Sequence, residues 1–181
     1  MYQYLKTMKM EQKFINNLYK KYSQEVMAVR KKQEQYGCPV SEGGLGYRKY
    51  DDLECEILYM LVKHFKPSVI KEIGCAAGWS CTWMLQACKE NDNGFVESYD
   101  RNREPGLSNI KEFDKYWKFH HQSVQKIHWP SVINDIDFLF IDADHTSKFH
   151  RWCLDTLIEP IRKAGKTVPV VIHDVFINKP Q

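Results

Sequence analysis

Short apolar runs alternate with segments of helical periodicity along most of this 181-residue chain. The apolar runs predict five strands, at residues 68–73, 95–99, 117–121, 136–141 and 168–172. Helices are predicted before and between them, at residues 51–66, 80–89, 108–116 and 147–161. The clearest strands are apolar on both faces, which is typical of a parallel sheet covered by helices on each side. The sequence therefore predicts an α/β fold, a doubly wound and mostly parallel sheet.

The first 36 residues form a basic segment. They contain eight Lys or Arg and three Glu, whereas the rest of the chain has 18 basic and 20 acidic residues. Apolar side chains recur in this segment at helical spacing, at Phe14, Leu18, Tyr22, Val26 and Val29. We expect residues 1–46 to be a helical N-terminal extension that packs on the main domain, residues 47–181. The alternative is contact of the basic side chains with nucleic acid such as RNA, with an anionic membrane surface or with an acidic partner, although no nucleic-acid-binding motif accompanies them.

Composition excludes several classes of protein. Turn formers are concentrated at residues 37–46, which predicts a boundary or a mobile loop there, but no low-complexity stretch occurs. No run approaches the roughly 18 apolar residues that a membrane span requires, and no apolar secretory segment follows Met1. The six cysteines include no Cys-x-x-Cys pair. We therefore expect a cytoplasmic protein with reduced thiols in its core.

A loop with two glycines follows the first predicted strand. Residues 72–80 have the sequence Glu-Ile-Gly-Cys-Ala-Ala-Gly-Trp-Ser, in which the glycines allow a tight turn and a close approach to a ligand. The second strand ends near Asp100, whose carboxylate would accept hydrogen bonds from both hydroxyls of a ribose. Together the two features predict a site for an adenosine-containing ligand. Ala76 replaces the middle glycine of the dinucleotide motif, which disfavours NAD.

Acidic and histidine side chains follow the last two predicted strands. Asp142, Asp144 and His145 come after the fourth strand, and His173 and Asp174 come after the fifth. Open α/β sheets bind ligands at the carboxyl ends of their strands, so we expect these side chains to face one another. Carboxylate oxygens suit Mg²⁺, which would hold a substrate hydroxyl and lower its pKa. The alternative is that Asp142 caps the next helix and the others are ordinary loop residues.

Four segments resemble, in order and spacing, the motifs of class I S-adenosylmethionine-dependent methyltransferases. They are residues 72–80, Ser-Tyr-Asp at 98–100, Asp-Phe-Leu-Phe-Ile-Asp-Ala-Asp-His at 137–145 and Val-Ile-His-Asp at 171–174. The likeness is closest to small-molecule O-methyltransferases and spans residues 50–176. It implies a Rossmann-like domain that binds S-adenosylmethionine.

The same resemblance implies a role for individual residues. The loop would hold the methionine part of the cofactor through Glu72, Gly74, Ala76 and Gly78. The ribose would lie on Asp100, the adenine beside Gln122 and Ser123, and Asp142 would also contact the cofactor.

Members of this type that depend on a metal provide a further comparison. Asp142 and Asp174 match their metal ligands, and His145 occupies the position of their general base. Histidine suits that task because its ordinary pKa is about 6.5. His173 stands where these enzymes usually have an acidic residue, and it is the third candidate ligand. The resemblance thus implies catalysis by His145 and Asp142, with Mg²⁺ as a second cofactor.

Class I methyltransferases normally have a seven-stranded sheet. The sequence ends seven residues after Asp174, so the resemblance implies that the last two strands are missing. We expect the sheet edge left exposed to be covered by a second copy of the chain, in a homodimer, or partly by the N-terminal helices, unless the natural protein is longer than this sequence.

The leading hypothesis is therefore transfer of a methyl group from S-adenosylmethionine to an oxygen of a small molecule. Two alternatives remain at this stage. One is a catalytically silent methyltransferase-like module that binds a protein or RNA partner. The other is a non-haem iron oxygenase in which His145, His173 and one carboxylate hold the iron. The sequence does not choose among a sugar, a phenol, a peptide and RNA as the methyl acceptor.

Overall fold

The computed structural model describes residues 12–36, 52–102, 107 and 110–173. These residues contain one five-stranded sheet, made of β1 (Val69–Ile73), β2 (Phe95–Asp100), β3 (Trp117–His121), β4 (Phe138–Ile141) and β5 (Val170–Ile172). The strand order is β3-β2-β1-β4-β5, and every neighbouring pair is parallel. The predicted doubly wound α/β fold is confirmed.

Helices cover both faces of the sheet. They are α1 (Gln12–Tyr36), α2 (Asp52–Phe65), α3 (Trp79–Asn91), α4 (Ser147–Cys153) and α5 (Glu159–Lys163). Strand β4 shows why two layers are needed, because its side chains alternate between them. Phe138 and Phe140 pack in the cluster formed with α1, α2 and α3. Leu139 and Ile141 pack in the cluster formed with α4 and α5.

Helix α1 packs on the domain through the apolar face that its periodicity predicts. Leu18, Tyr22, Val26 and Val29 are all buried. At the same interface Tyr19 donates a hydrogen bond of 2.9 Å to the buried Glu56 of α2, and Arg30 forms an ion pair with the same carboxylate. A boundary between an extension and a main domain at residues 46 and 47 lies outside the described residues.

The helix predicted at residues 108–116 is wrong over the part that the structure describes. The N–H groups of Ile110, Phe113 and Tyr116 each donate to the carbonyl three residues earlier, at 2.8–2.9 Å. These side chains recur every three positions, which is the period of a 3₁₀ helix and not of an α-helix. The segment therefore forms successive tight turns, including a 3₁₀ turn at Lys111–Phe113.

The helix predicted at residues 147–161 is present but is not regular throughout. Thr146 caps its beginning, because its Oγ1 accepts a hydrogen bond of 3.2 Å from the Phe149 N–H. A π-helical turn at Leu154–Ile158 separates α4 from α5. Pro160 follows this turn and has no N–H to donate, which interrupts the regular hydrogen-bond ladder of the helix.

Five of the six cysteines lie in the described residues. They are free and buried, which agrees with the prediction of reduced core thiols: Cys55, Cys75, Cys81, Cys88 and Cys153. Cys38 and the loop predicted at 37–46 lie outside the described residues. No helix in the described part of the chain is long and apolar enough to cross a membrane.

Strand β1 ends at a close backbone approach to the segment after β4. Gly74 follows β1 with a φ of +81°, and a Cβ there would lie 1.9 Å from the carbonyl oxygen of Asp142. Gly165 has a similar φ of +73°, but a Cβ at that position would meet no atom within 4 Å. Both glycines have a left-handed backbone, but only Gly74 is in close contact with other atoms. Alanine substitutions at the two positions can therefore be compared directly.

We expect Gly74→Ala to lower the free energy of unfolding by about 3 kcal/mol, because left-handed strain and overpacking add. Gly165→Ala should lose only about 1–2 kcal/mol, the cost of the strain alone. Chemical denaturation of the two variants and the wild type measures the difference. Equal losses would show that the approach of Gly74 to Asp142 does not constrain the fold.

Candidate functional site

A cavity of about 350 Å³ lies at the carboxyl ends of the strands. Segments that follow β1, β2, β3 and β4 line it, as expected at the switch point of a doubly wound sheet. Most of the predicted site residues are in the lining, namely Gly74, Ala76, Asp100, Gln122, Ser123, Asp142 and His145. Glu72, Gly78 and His173 are not in the lining, and Asp174 lies outside the described residues.

The glycine-containing loop turns tightly between β1 and α3. Gly74 and Gly78 both have a φ of +81°, and Ala76 has a φ of +40°. The Gly78 N–H donates to the Cys75 carbonyl at 2.6 Å, which closes the turn. Gly78 precedes α3 and makes no side-chain cap, and the N-terminal end of a helix favours an anionic ligand group.

The Asp100 carboxylate lies at the cavity and contacts this loop directly. Its Oδ2 accepts hydrogen bonds from the backbone N–H groups of Cys75, at 3.0 Å, and Ala76, at 2.9 Å. Its Oδ1 accepts a hydrogen bond of 2.8 Å from the Asn102 N–H. The carboxylate that the sequence predicts for a ribose is thus held at the end of β2 by three backbone donors.

Glu72 lies beneath the loop and is fully buried. Its carboxyl group accepts hydrogen bonds from Ser80 Oγ, at 2.8 Å, and from Ser98 Oγ. Burial raises the pKa of Glu72 to about 7, although the hydrogen bonds from the two serines lower it. The side chain of Glu72 joins β1 to α3 and β2 and is not in the cavity lining, so its predicted contact with the cofactor stays a prediction.

The structure brings Asp142, His145 and His173 together after β4 and β5. His173 Nδ1 lies 3.1 Å from Asp142 Oδ1, and His145 Nε2 lies 3.8 Å from the same oxygen. Backbone pairing holds these positions, because the Asp142 N–H donates to Ile73 and the His173 N–H donates to Ile141. The expected meeting of the two polar segments at one edge of the sheet is therefore observed.

The two ring nitrogens of His145 lie in different surroundings, Nε2 near Asp142 and Nδ1 without a partner in the described part of the chain. Its Nδ1 is buried and has no hydrogen-bond partner among the described residues. The ring lines the cavity, and its centroid is 6.3 Å from that of His173. A buried nitrogen without a partner is costly. The His145 side chain as a whole is 33% exposed, so other atoms of the ring are accessible to a ligand in the cavity.

The alternative in which Asp142 caps the helix after β4 is wrong, because Thr146 is the cap. Asp144 has a local role in this turn, since its Oδ1 accepts a hydrogen bond of 3.0 Å from the Thr146 N–H. Asp142 remains oriented towards the two histidines.

Glu54 is a site residue that the sequence did not reveal. It lies on α2, and its Oε2 is 2.9 Å from His173 Nε2. His173 is therefore held between two carboxylates, Glu54 at one ring nitrogen and Asp142 at the other. No motif marks Glu54, because the periodicity of α2 identifies only its apolar positions.

Asp142 and His173 are the described members of the predicted metal-binding set. One carboxylate and one imidazole do not by themselves fit Mg²⁺, which prefers oxygen ligands. The described ranges contain no cluster of three His, Cys, Asp or Glu residues suited to a metal ion. A magnesium site that includes Asp174 stays a prediction.

Comparison with known proteins identifies the family. Residues 71–175 match the family model of a methyltransferase domain, which is more than half of the chain. The chain belongs to this methyltransferase family. The matched segment contains the glycine loop, Asp100 and both polar segments, so the predicted class I methyltransferase is confirmed at the level of family and fold. A search of curated protein sequences found no significant match.

Solved structures of methyltransferases are similar to this chain. A Staphylococcus aureus protein provisionally named caffeoyl-CoA O-methyltransferase is 20% identical, with a TM-score of 0.47 over 80% of this chain and 67% of that one. A Bacillus cereus O-methyltransferase in complex with S-adenosylhomocysteine is 19% identical, with a TM-score of 0.47 over 86% and 66%. A Podospora anserina methyltransferase with bound S-adenosylhomocysteine is 16% identical, with a TM-score of 0.45 over 59% and 48%. The chain spans between about half and two thirds of the length of these proteins.

The pKa of Glu72 predicts how the stability of this methyltransferase-family chain depends on pH. The pKa is about 7 in the folded state and 4.5 ordinarily, so the folded state binds the extra proton between these values. This contribution to stability is complete below the lower pKa and is lost as the pH rises through the higher one.

We expect the melting temperature of the wild type, relative to Glu72→Gln, to fall as the pH rises from 5 to 8. The variant has no titrating carboxyl at this position and should not show the loss. The exposed Glu25→Gln serves as the control, and its difference from the wild type should not vary with pH. A difference between the wild type and Glu72→Gln that is constant over this range would contradict the raised pKa.

Proposed function

We propose that this protein transfers the methyl group of S-adenosylmethionine to an oxygen of a small molecule. The observation that carries the proposal is one cavity in which the glycine loop and Asp100 face Asp142 and His145. The first pair suits an adenosyl ligand and the second suits proton removal from a hydroxyl group. The family match supports the same reaction class.

The cofactor would lie along the ends of β1, β2 and β3. Among the described residues, Asp100 Oδ1 accepts one hydrogen bond, from the Asn102 N–H, and a carboxylate oxygen is able to accept a ribose hydroxyl as well. The adenine would lie beside Gln122 and Ser123, which line the same cavity. The loop at Gly74 and Ala76 would contact the methionine part. Asp142 and His145, which follow β4 and line the same cavity, would then be left to contact the methyl acceptor.

His145 would act as the general base on the acceptor. Its imidazole ring, which borders the cavity and is partly exposed, would take the proton of the acceptor hydroxyl as the oxygen attacks the methyl carbon. The carbon–sulfur bond breaks at the same time, its electron pair stays on sulfur, and neutral S-adenosylhomocysteine leaves. Asp142, 3.8 Å from His145 Nε2, would orient the ring and stabilise the imidazolium that forms. This step needs mainly positioning of the two reactants in line.

S-adenosylhomocysteine binding tests the cofactor site. We expect Asp100→Ala to weaken binding by about 100-fold or more, because bonds to a charged acceptor contribute about 1.5–3 kcal/mol each. Asp135→Ala is the control, since this exposed carboxylate precedes β4 at the opposite edge of the sheet. Calorimetric titration measures both. Failure of the wild-type protein to bind would favour the silent, partner-binding module.

Methyl transfer tests the base. With S-adenosylmethionine labelled in its methyl group and a panel of phenols and sugars as acceptors, we expect His145→Gln to lower the transfer rate by about 10²–10⁴. The exposed His128→Gln is the control for loss of an imidazole elsewhere. Binding of S-adenosylhomocysteine should survive in both variants. A His145→Gln variant with the wild-type rate would exclude His145 as the base.

A further inference from the structure

The Asp100 carboxylate is already bonded to the protein before any ligand is considered. Its Oδ2 accepts the N–H groups of two consecutive loop residues, Cys75 and Ala76, at 3.0 Å and 2.9 Å. We propose that Asp100 is also a positioning residue, which holds the glycine loop in its ligand-binding shape when the site is empty. The inference rests on the proposed function, in which Asp100 binds the ribose and the loop binds the methionine part.

The loop needs an internal partner of this kind. Two consecutive N–H groups directed to one point form a small anion-binding concavity, and here a carboxylate of the same chain fills it. Ala76 has a φ of +40°, a conformation that a residue with a Cβ rarely adopts unless other contacts impose it. The bond from its N–H to Asp100 is such a contact.

The rest of the loop is held by backbone hydrogen bonds. The Gly74 N–H donates to the Tyr99 carbonyl at 2.9 Å, the Gly78 N–H donates to the Cys75 carbonyl at 2.6 Å, and the Thr82 N–H of α3 donates to Gly78 at 3.0 Å. None of these bonds uses the N–H groups of Cys75 and Ala76, which donate to Asp100. Asp100 therefore connects the end of β2 to the middle of the loop, where the backbone lines the cavity.

The two carboxylate oxygens of Asp100 have different hydrogen-bond partners. Oδ2 accepts both loop donors, whereas Oδ1 accepts only the Asn102 N–H within the described part of the chain. A carboxylate can accept about four hydrogen bonds. Oδ1 can therefore accept one from a ribose hydroxyl while Oδ2 still accepts those from the loop N–H groups. One side chain would thus link the site of the ribose to the site of the amino-acid part.

This link predicts that the two halves of the ligand respond differently to loss of Asp100. Adenosine contains the ribose and the adenine, whereas S-adenosylhomocysteine adds the amino-acid part that would contact the loop. If Asp100 binds only the ribose, Asp100→Ala weakens both ligands by the same factor. If Asp100 also positions the loop, S-adenosylhomocysteine should lose about tenfold more affinity than adenosine, since ordering the loop then costs binding energy.

Amide hydrogen exchange in the ligand-free protein tests the inference without any ligand. In Asp100→Ala we expect the amides of Cys75 and Ala76 to exchange about tenfold faster or more, because each loses a bond to a charged acceptor. Asp100→Asn, which keeps one acceptor oxygen, should show a smaller increase. The Thr82 amide is the internal reference for global stability, and Asp135→Ala is the matched control variant.

The outcomes separate this inference from the proposed function. Faster exchange at Cys75 and Ala76 with an unchanged Thr82 amide, together with the larger loss for S-adenosylhomocysteine in calorimetric titration, supports the positioning role. Unchanged exchange at the two loop amides in Asp100→Ala overturns it, whatever the ligands do. A wild-type protein that binds neither ligand overturns the proposed function, while the exchange data still decide whether Asp100 holds the loop.

Discussion

Strand β1 pairs with β2 on one side and with β4 on the other, and the candidate site depends on this central position. The helix that follows β1 covers one face of the sheet, whereas the helices that follow β4 cover the opposite face. The connections therefore diverge at the ends of these two strands, and a crevice opens between them. Gly74 makes the divergence possible, because only a residue without a Cβ fits against the backbone of Asp142.

Two carboxyl groups hold the loop that borders this crevice, and their surroundings differ. Glu72 lies underneath, where burial raises its pKa and serines on α3 and β2 are its donors. Asp100 lies on the cavity side, where backbone N–H groups of the loop are its donors. The buried carboxyl fixes the helix to the sheet, and the other fixes the loop to the neighbouring strand. The shape of the site is therefore set by the protein before a ligand binds.

The sequence predicted the fold well where the periodicity was strong. All five strands were placed within about two residues, since buried parallel strands are continuous apolar runs. The prediction of a helix at 108–116 was wrong because the apolar residues there recur every three positions. Over a short span this spacing is easily mistaken for the helical period of 3.6. The sequence predicted that Asp100, Asp142 and His145 lie close together, because the carboxyl ends of parallel strands meet at one edge of the sheet. It did not predict that Glu72 joins β1 to α3 and β2, because burial is a property of the packed structure.

Glu54 shows what a strand-end motif leaves out. The family match begins at residue 71, whereas Glu54 lies on α2 and reaches His173 from outside the matched segment. Two residues further along α2, Glu56 is held by Tyr19 and by Arg30 of α1. Helix α1 thus fixes α2, and α2 in turn presents a carboxylate to the edge where His173 and Asp142 meet. The position of Asp142, which we propose acts on the methyl acceptor, is therefore linked through His173 to helices that precede the matched segment, and Glu54 makes this link from outside the family motifs.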